Sequence, residues 1–504
     1  MSQSKRIFHN TIALFVRIFF NAITGLLTTR ILLNILGEDS FGLYNLIAGI
    51  ILMLSFINGA LLISTQRYLS IAIGEKNDDK LNSIFNVSLF IHFLLFVFLT
   101  ALFLLIKPFL FDGFLNIPSN LTNEASSVYN VMVLTAGITV ISIPYSAMIT
   151  AREHLVFFSI SEIVSFLFKI LAAYSLYFIS KNHLAFYTWM MLIAIFIGVV
   201  MKYFWCRIKY NEAGISVFKM KDKLLFKEMI GFVSWNTLSS FAVLTRNQGV
   251  AILLNLFFGV VINAAYGVAM QVNALVMSFA MALTNVFSPM IIRSKGEGNK
   301  EKMIFLAIFA SKLSFLVSSL IALPLIVFTE YILKLWLNDV PNYSVFFTKM
   351  ILISFLILQL VPGINRAIYA HGDIKKYQIY SSVFMMITIP LGYLFFIYEY
   401  SPNYIFFGLI TSQVLLVLVT IFYANKLLTI NLKEMLCWSI ATPFLVLVVF
   451  VAIFQLAFGK LHDSLSFIEF VLYSLGLVMI FTILYYIVVF SNNEKNKIRS
   501  ILKI

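Results

Sequence analysis

Of the 504 residues, 61% are hydrophobic and only 12% are charged, with a formal net charge of +14 and a mean hydropathy of +0.96. A soluble domain carries about 25% charged residues, so an ordinary soluble protein is excluded. Apolar runs of about 20 residues recur along the chain and alternating strands are absent, which argues against a membrane β-barrel and leaves a polytopic α-helical membrane protein.

The first apolar run holds Arg17 and Arg30 and lacks a small-residue cleavage site, so it reads as a span rather than a removable leader. In chain order, spans are predicted over 12–33, 41–63, 83–106, 128–149, 157–179, 185–205, 229–256, 260–290, 304–328, 346–370, 378–398, 404–423, 438–458 and 468–490, fourteen in all. They divide the chain into a six-helix bundle over 1–205, a basic cytoplasmic linker over 206–228, a second six-helix bundle over 229–423, and an appended helix pair with a cytoplasmic tail over 424–504.

Charge orients the spans. With the N-terminus inside, 24 of the 36 Lys and Arg fall in cytoplasmic segments and eight inside spans. Only Lys107, Lys181, Lys334 and Lys460 fall outside, which places both termini in the cytoplasm. The same bias accounts for the net charge without a nucleic-acid partner. The six His residues show no metal-ligand spacing. Cys206 and Cys437 both lie at cytoplasmic span ends, so no structural disulfide is expected. There is no Walker A loop, and the longest outer loop, 107–127, offers only Asp112 and Glu124 as acids and no His. Neither a cofactor nor enzymatic chemistry is predicted.

A short polar phrase occurs twice. "GEKNDDKL" runs over 74–81 and "GEGNKEKM" over 296–303, an offset of 222. "LLN" at 32–34 returns at 253–255, and "AREHL" at 151–155 overlays "AHGDI" at 370–374. Near-constant offsets at matching places in two six-helix sets indicate duplication. Six is even, so the halves are parallel repeats about an axis along the membrane normal, expected to enclose a cavity that rocking exposes to either side. Each phrase reads as a solvated turn, with Gly ending one helix and the Asn/Asp/Lys cluster capping the next, or as a hinge in that rocking.

"NILGEDSFGLYNL" (34–46) and "QRYLSIAIGEKNDDKL" (66–81), set in these two halves, resemble the Wzx-type flippases of the multidrug/oligosaccharidyl-lipid/polysaccharide (MOP) exporter superfamily. The resemblance implies a transporter that moves an undecaprenyl-pyrophosphate-linked oligosaccharide to the outer leaflet for O-antigen- or capsule-type polysaccharide. It also implies H+ or Na+ coupling and work beside a polysaccharide polymerase and other assembly proteins. The rival on the same fold is a multidrug antiporter for organic cations, which typically uses intramembrane Asp or Glu. Here span 1 holds two Arg and no carboxylate.

Eight cations stand within spans: Arg17, Arg30, Lys169, Lys202, Arg246, Lys312, Lys349 and Arg366. A charge at the bilayer centre costs about 2.5–3.5 kcal/mol on insertion scales, so it should meet water or a partner. Lys202, Lys349 and Arg366 are near span ends and are expected to snorkel. Lys169 is central, and it either lines a cavity or pairs with Glu162, seven residues earlier on the same helical face. Polar stripes run along span 1 (Arg17, Asn21, Thr24, Thr28), span 7 (Asn236, Ser240, Asn247) and span 8 (Asn263, Tyr266, Met270, Asn273, Met277). They mark either a wet cavity or interhelical hydrogen bonds. Arg suits phosphate because its planar fork donates paired hydrogen bonds. The candidate substrate-binding set is therefore Arg17, Asn21, Arg30, Lys169, Arg246, Asn247, Asn273 and Lys312, with Glu162 as the candidate coupling carboxylate.

Overall fold

A computed structural model describes residues 3–52, 55–111, 122–179, 182–210, 222–337, 340–429, 436, 440–458 and 466–502. The side chains of Arg30 and Asn263 lie outside the described residues. The described chain is helical throughout apart from its turns, and it divides into two compact units. The N-terminal unit is His9–Thr237; the C-terminal unit is Leu238–Ile504 with Met1–Phe8.

The helices are α1 (Gln3–Leu52), α2 (Ser55–Glu75), α3 (Asp78–Phe109), α4 (Thr122–Ala151), α5 (Leu155–Ser175), α6 (His183–Lys209) and α7 (Lys223–Gly296). They continue with α8 (Lys300–Val327), α9 (Thr329–Trp336), α10 (Ser344–Leu358), α11 (Pro362–His371), α12 (Lys375–Met386), α13 (Thr388–Ile397) and α14 (Ile405–Leu428). The last three are α15 (Thr442–Phe458), α16 (Phe467–Val489) and α17 (Asn492–Leu502). Eleven stretches are long and apolar enough to cross a membrane, or up to twelve if the bent pair α10/α11 counts as one span. Of the fourteen predicted spans, 438–458 corresponds to a shorter apolar stretch, Thr442–Phe454. The span predicted over 41–63 falls partly outside the described residues.

Two expected breaks are absent. Helix α1 continues through 34–40, and α7 continues through the predicted boundary at 256–260. The turn formers there, Gly37, Asp39 and Gly259 among them, are poor helix formers rather than breakers. No proline stands between Gln3 and Leu52, and the only one inside α7 is Pro289.

The repeated phrases fold alike. Asn77 caps α3 by accepting from the Lys80 amide at 2.9 Å, and Asn299 caps α8 by accepting from the Lys302 amide at 2.9 Å. Across the first turn the Lys80 ammonium donates to Glu75 at 2.7 Å; across the second, Lys302 donates to Glu297 at 2.9 Å. The left-handed residue is Lys76 (φ 55°) in one copy and Gly298 (φ 71°) in the other, not the leading glycines expected to end the helices. In the third phrase, Glu153 and Gly372 occupy the same left-handed position after α4 and α11.

The N-terminal core packs α2, α3 and α4 around Leu69, Phe85, Met148 and Ile149. In the C-terminal unit the chain bends by 44° between α10 and α11. Pro362 stands at the start of α11, where its missing N–H costs least. The next amides of the new helix find a side chain: the Ser311 hydroxyl on α8 accepts from Gly363 N–H at 3.0 Å and from Ile364 N–H at 3.3 Å. Gly363 is obligatory here, because a Cβ would lie 2.1 Å from the Ala307 carbonyl oxygen.

Candidate functional site

The bend at Pro362 forms one wall of a cavity inside the C-terminal unit. Its volume is about 360 Å3, and α7, α10, α11, α12 and α14 contribute to its lining. Arg246 comes from α7 and Arg366 from α11, one turn past the break. The predicted stripe of span 8 supplies Tyr266, Met270, Asn273 and Met277. Among the described residues, no Asp or Glu lines this cavity. Arg246 is only 8% exposed. Its Nε and Nη2 both donate to Asn247 Oδ1 at 3.2 Å, and Tyr266 O–H donates to the Asn247 carbonyl at 3.5 Å. The remaining Arg246 Nη1 has no hydrogen-bond partner, and neither do the amide oxygens of Asn273 and Gln413, which also line the cavity. Arg366 lies 5.8 Å from the Tyr369 ring and makes no ion pair among the described residues. A buried guanidinium with an open donor edge and no counter-charge is a ready receptor for a carboxylate or phosphate oxygen.

The N-terminal unit has its own cavity of about 350 Å3, lined by α1 through α6. Lys169 is the sole charged lining residue among those described; Thr100, Thr135, Thr139 and Thr188 supply hydroxyls. Lys169 does not pair with Glu162. That carboxylate accepts from the Lys202 ammonium on α6 at 2.5 Å. Lys202 is therefore buried and paired instead of snorkelling, and its ammonium lies 5.0 Å from the Phe158 ring. Arg17 reaches the same ring at 5.4 Å, and Arg17 and Lys169 both lie within electrostatic range of Glu162.

The structure thus brings Arg246, Asn247 and Asn273 together in one unit and places Arg17 and Lys169 near Glu162 in the other. It does not bring Lys312 to either cavity. Lys312 Nζ donates to Glu494 at 2.9 Å and to the Val489 carbonyl at 3.2 Å, deep among α8, α16 and α17. Expected among the substrate ligands, Lys312 is instead held by Glu494 in this structure and lines neither cavity. Asn21 is exposed on α1. The threonines of its stripe, Thr24 and Thr28, bond to carbonyls one turn back at 2.7 Å. In the span 7 stripe, Asn236 donates to the Ala60 carbonyl at 3.3 Å, an interhelical bond. Arg366 was missed as a lining residue. Its signal was the adjacent "VPG" at 361–363, which ends one helix and starts another beside it.

The MatE family model matches residues 237–394. No curated protein sequence matches the chain. A crystal structure of a MATE mutant is similar with a TM-score of 0.75 at 14% identity, covering 86% of this chain and 98% of that one. An outward-facing multidrug resistance MATE family transporter of the MOP superfamily gives 0.75 at 12% identity, covering 86% and 98%. A MOP superfamily transporter from Pyrococcus furiosus, whose binding pocket is described as having reverse polarity that suggests a different function, gives 0.72 at 12% identity, covering 86% and 97%. The chain thus has the fold of the MATE transporters of the MOP superfamily, and it carries the MatE sequence pattern across residues 237–394.

Proposed function

We propose that this chain is a MOP-type transporter of an anionic cargo, and that the cargo is an undecaprenyl-pyrophosphate-linked oligosaccharide moved from the inner to the outer leaflet. The supporting observation is the polarity of the C-terminal cavity: Arg246 and Arg366 line it, and among the described residues no acid does. A pyrophosphate oxygen would take the open Nη1 edge of Arg246, while Asn247, Asn273 and Gln413 meet hydroxyls. Lys169 and Arg17 supply positive charge in the N-terminal unit. An inside-negative potential assists outward movement of an anion by about 2.3 kcal/mol per charge per 100 mV. Coupling to H+ or Na+ through Glu162 requires that its contact with Lys202 open during the cycle.

A second reading is multidrug antiport of organic cations. The MatE match and the multidrug transporter among the similar structures favour it; the cavity polarity opposes it. The deciding experiment expresses the protein in cells lacking their own polysaccharide flippase and, separately, in cells sensitised to cationic dyes. Restored polymer export without dye resistance supports the first reading. Dye resistance without export supports the second.

A further inference from the structure

A groove runs along the surface of the C-terminal unit between α12 and α14, sharing no lining residue with the cavity of that unit, with a volume of about 520 Å3. That lies within the roughly 300–1,000 Å3 of ligand-sized sites. Helix α12, with α13 that follows it, runs antiparallel to α14: Tyr377 near the start of α12 bonds Thr420 on α14 at 3.1 Å, while Thr388 at the start of α13 donates to the Gly408 carbonyl at 3.4 Å. The start of α12 therefore meets the end of α14, and the groove has two chemically different ends.

At one end stand Lys376 and Lys426, both exposed and neither in an ion pair among the described residues. Asp373, in the turn before α12, lies within electrostatic range of Tyr423 at this end. Next come the rings of Tyr380 and Tyr423, 6.4 Å apart. Below them the walls are apolar, and Leu418 and Phe422 are 52% and 59% exposed. From Lys426 back to Leu415 is eleven residues, about 16 Å of helix. Half the hydrocarbon core of a bilayer is about 15 Å. The groove is thus one leaflet deep, with cations at headgroup level, tyrosines at the interface and apolar side chains beneath.

The geometry points to a binding site for one anionic phospholipid of the leaflet that the charge distribution assigns to the cytoplasm. Its phosphodiester sits between Lys376 and Lys426, and one acyl chain lies along Leu418 and Phe422. A zwitterionic lipid offers the same chain but no net charge to the paired lysines, so the site selects by headgroup.

Native mass spectrometry of the full-length protein, released from micelles containing phosphatidylglycerol or phosphatidylethanolamine, tests this. One phosphatidylglycerol should survive activation that strips phosphatidylethanolamine. The double variant Lys376→Gln/Lys426→Gln should weaken its retention by about 30-fold. Leu418→Trp, which fills the groove with both lysines intact, should also lose it. The control pair Lys223→Gln/Lys227→Gln, at the start of α7, should retain it. Equal retention of the two lipids, or equal loss in the control pair, would overturn the site and reduce the attraction to the general basic character of that face. Because the groove lies apart from Arg246 and Arg366, either result leaves the cargo reading to its own test.

Discussion

Neutralising one member of the Lys312–Glu494 pair should destabilise the C-terminal unit far more than replacing both. The two charged groups are 2.9 Å apart, with side chains 6% and 5% exposed. Lys312→Met would leave the Glu494 carboxylate buried with the Ser491 N–H at 2.8 Å as its remaining close donor. Glu494→Met would leave the Lys312 ammonium facing only the Val489 carbonyl. Removing one partner of a buried pair costs about 3–5 kcal/mol, whereas replacing the whole pair by apolar residues is often neutral or better. The double variant Lys312→Met/Glu494→Met should therefore be more stable than either single variant, with a coupling energy of roughly 3 kcal/mol or more in a double-mutant cycle. Unfolding of the purified protein in mixed micelles measures all four species. Additive losses would mean that the two charges do not depend on each other and would rule out this coupling. Transport by the double variant should stay near wild type, since Lys312 touches no cavity.

Gly363→Ala forces a methyl group against the Ala307 carbonyl at 2.1 Å, with backbone on both sides. It should cost about 1–3 kcal/mol by overpacking, seen as a lowered midpoint in the same unfolding assay. Asn77→Ala and Asn299→Ala each remove a helix cap and should each cost about 1 kcal/mol, with similar shifts because the two turns share their geometry. Glu162→Gln should flatten the pH dependence of transport in proteoliposomes if that carboxylate carries the coupling ion. An unchanged pH profile with reduced folded yield would instead mark Glu162 as a purely structural partner of Lys202.

The helical character, most spans and both repeated turns were legible because they depend on local pattern: apolar run length, and an Asn placed three residues before an amide that needs a partner. The span 8 stripe was legible for the same reason, since helical spacing puts Tyr266, Asn273 and the methionines on one face. Contacts between distant segments were not. Lys202 meets Glu162 across 40 residues and Lys312 meets Glu494 across 182; helical periodicity carries no information about either. By its place in the sequence Arg366 lies near a span end, where a long side chain reaches water. The break at Gln359–Val361 changes that reading, because it starts a new helix and brings Arg366 to the cavity wall. Conversely, no proline stands at the predicted boundaries 34–40 and 256–260, and without one the helical hydrogen bonds continue.

The proposed cargo requires that the C-terminal cavity receive negative charge. Equilibrium binding of a polyprenyl pyrophosphate and of a cationic dye to the purified protein, compared with the Arg246→Gln/Arg366→Gln variant, tests it most directly. The wild type should bind the pyrophosphate, and the dye only weakly, and the variant should lose at least about 2–4 kcal/mol of the pyrophosphate affinity, of order 30-fold or more for two charge-assisted contacts. Tight dye binding by the wild type, together with pyrophosphate binding that is indifferent to both arginines, would contradict it.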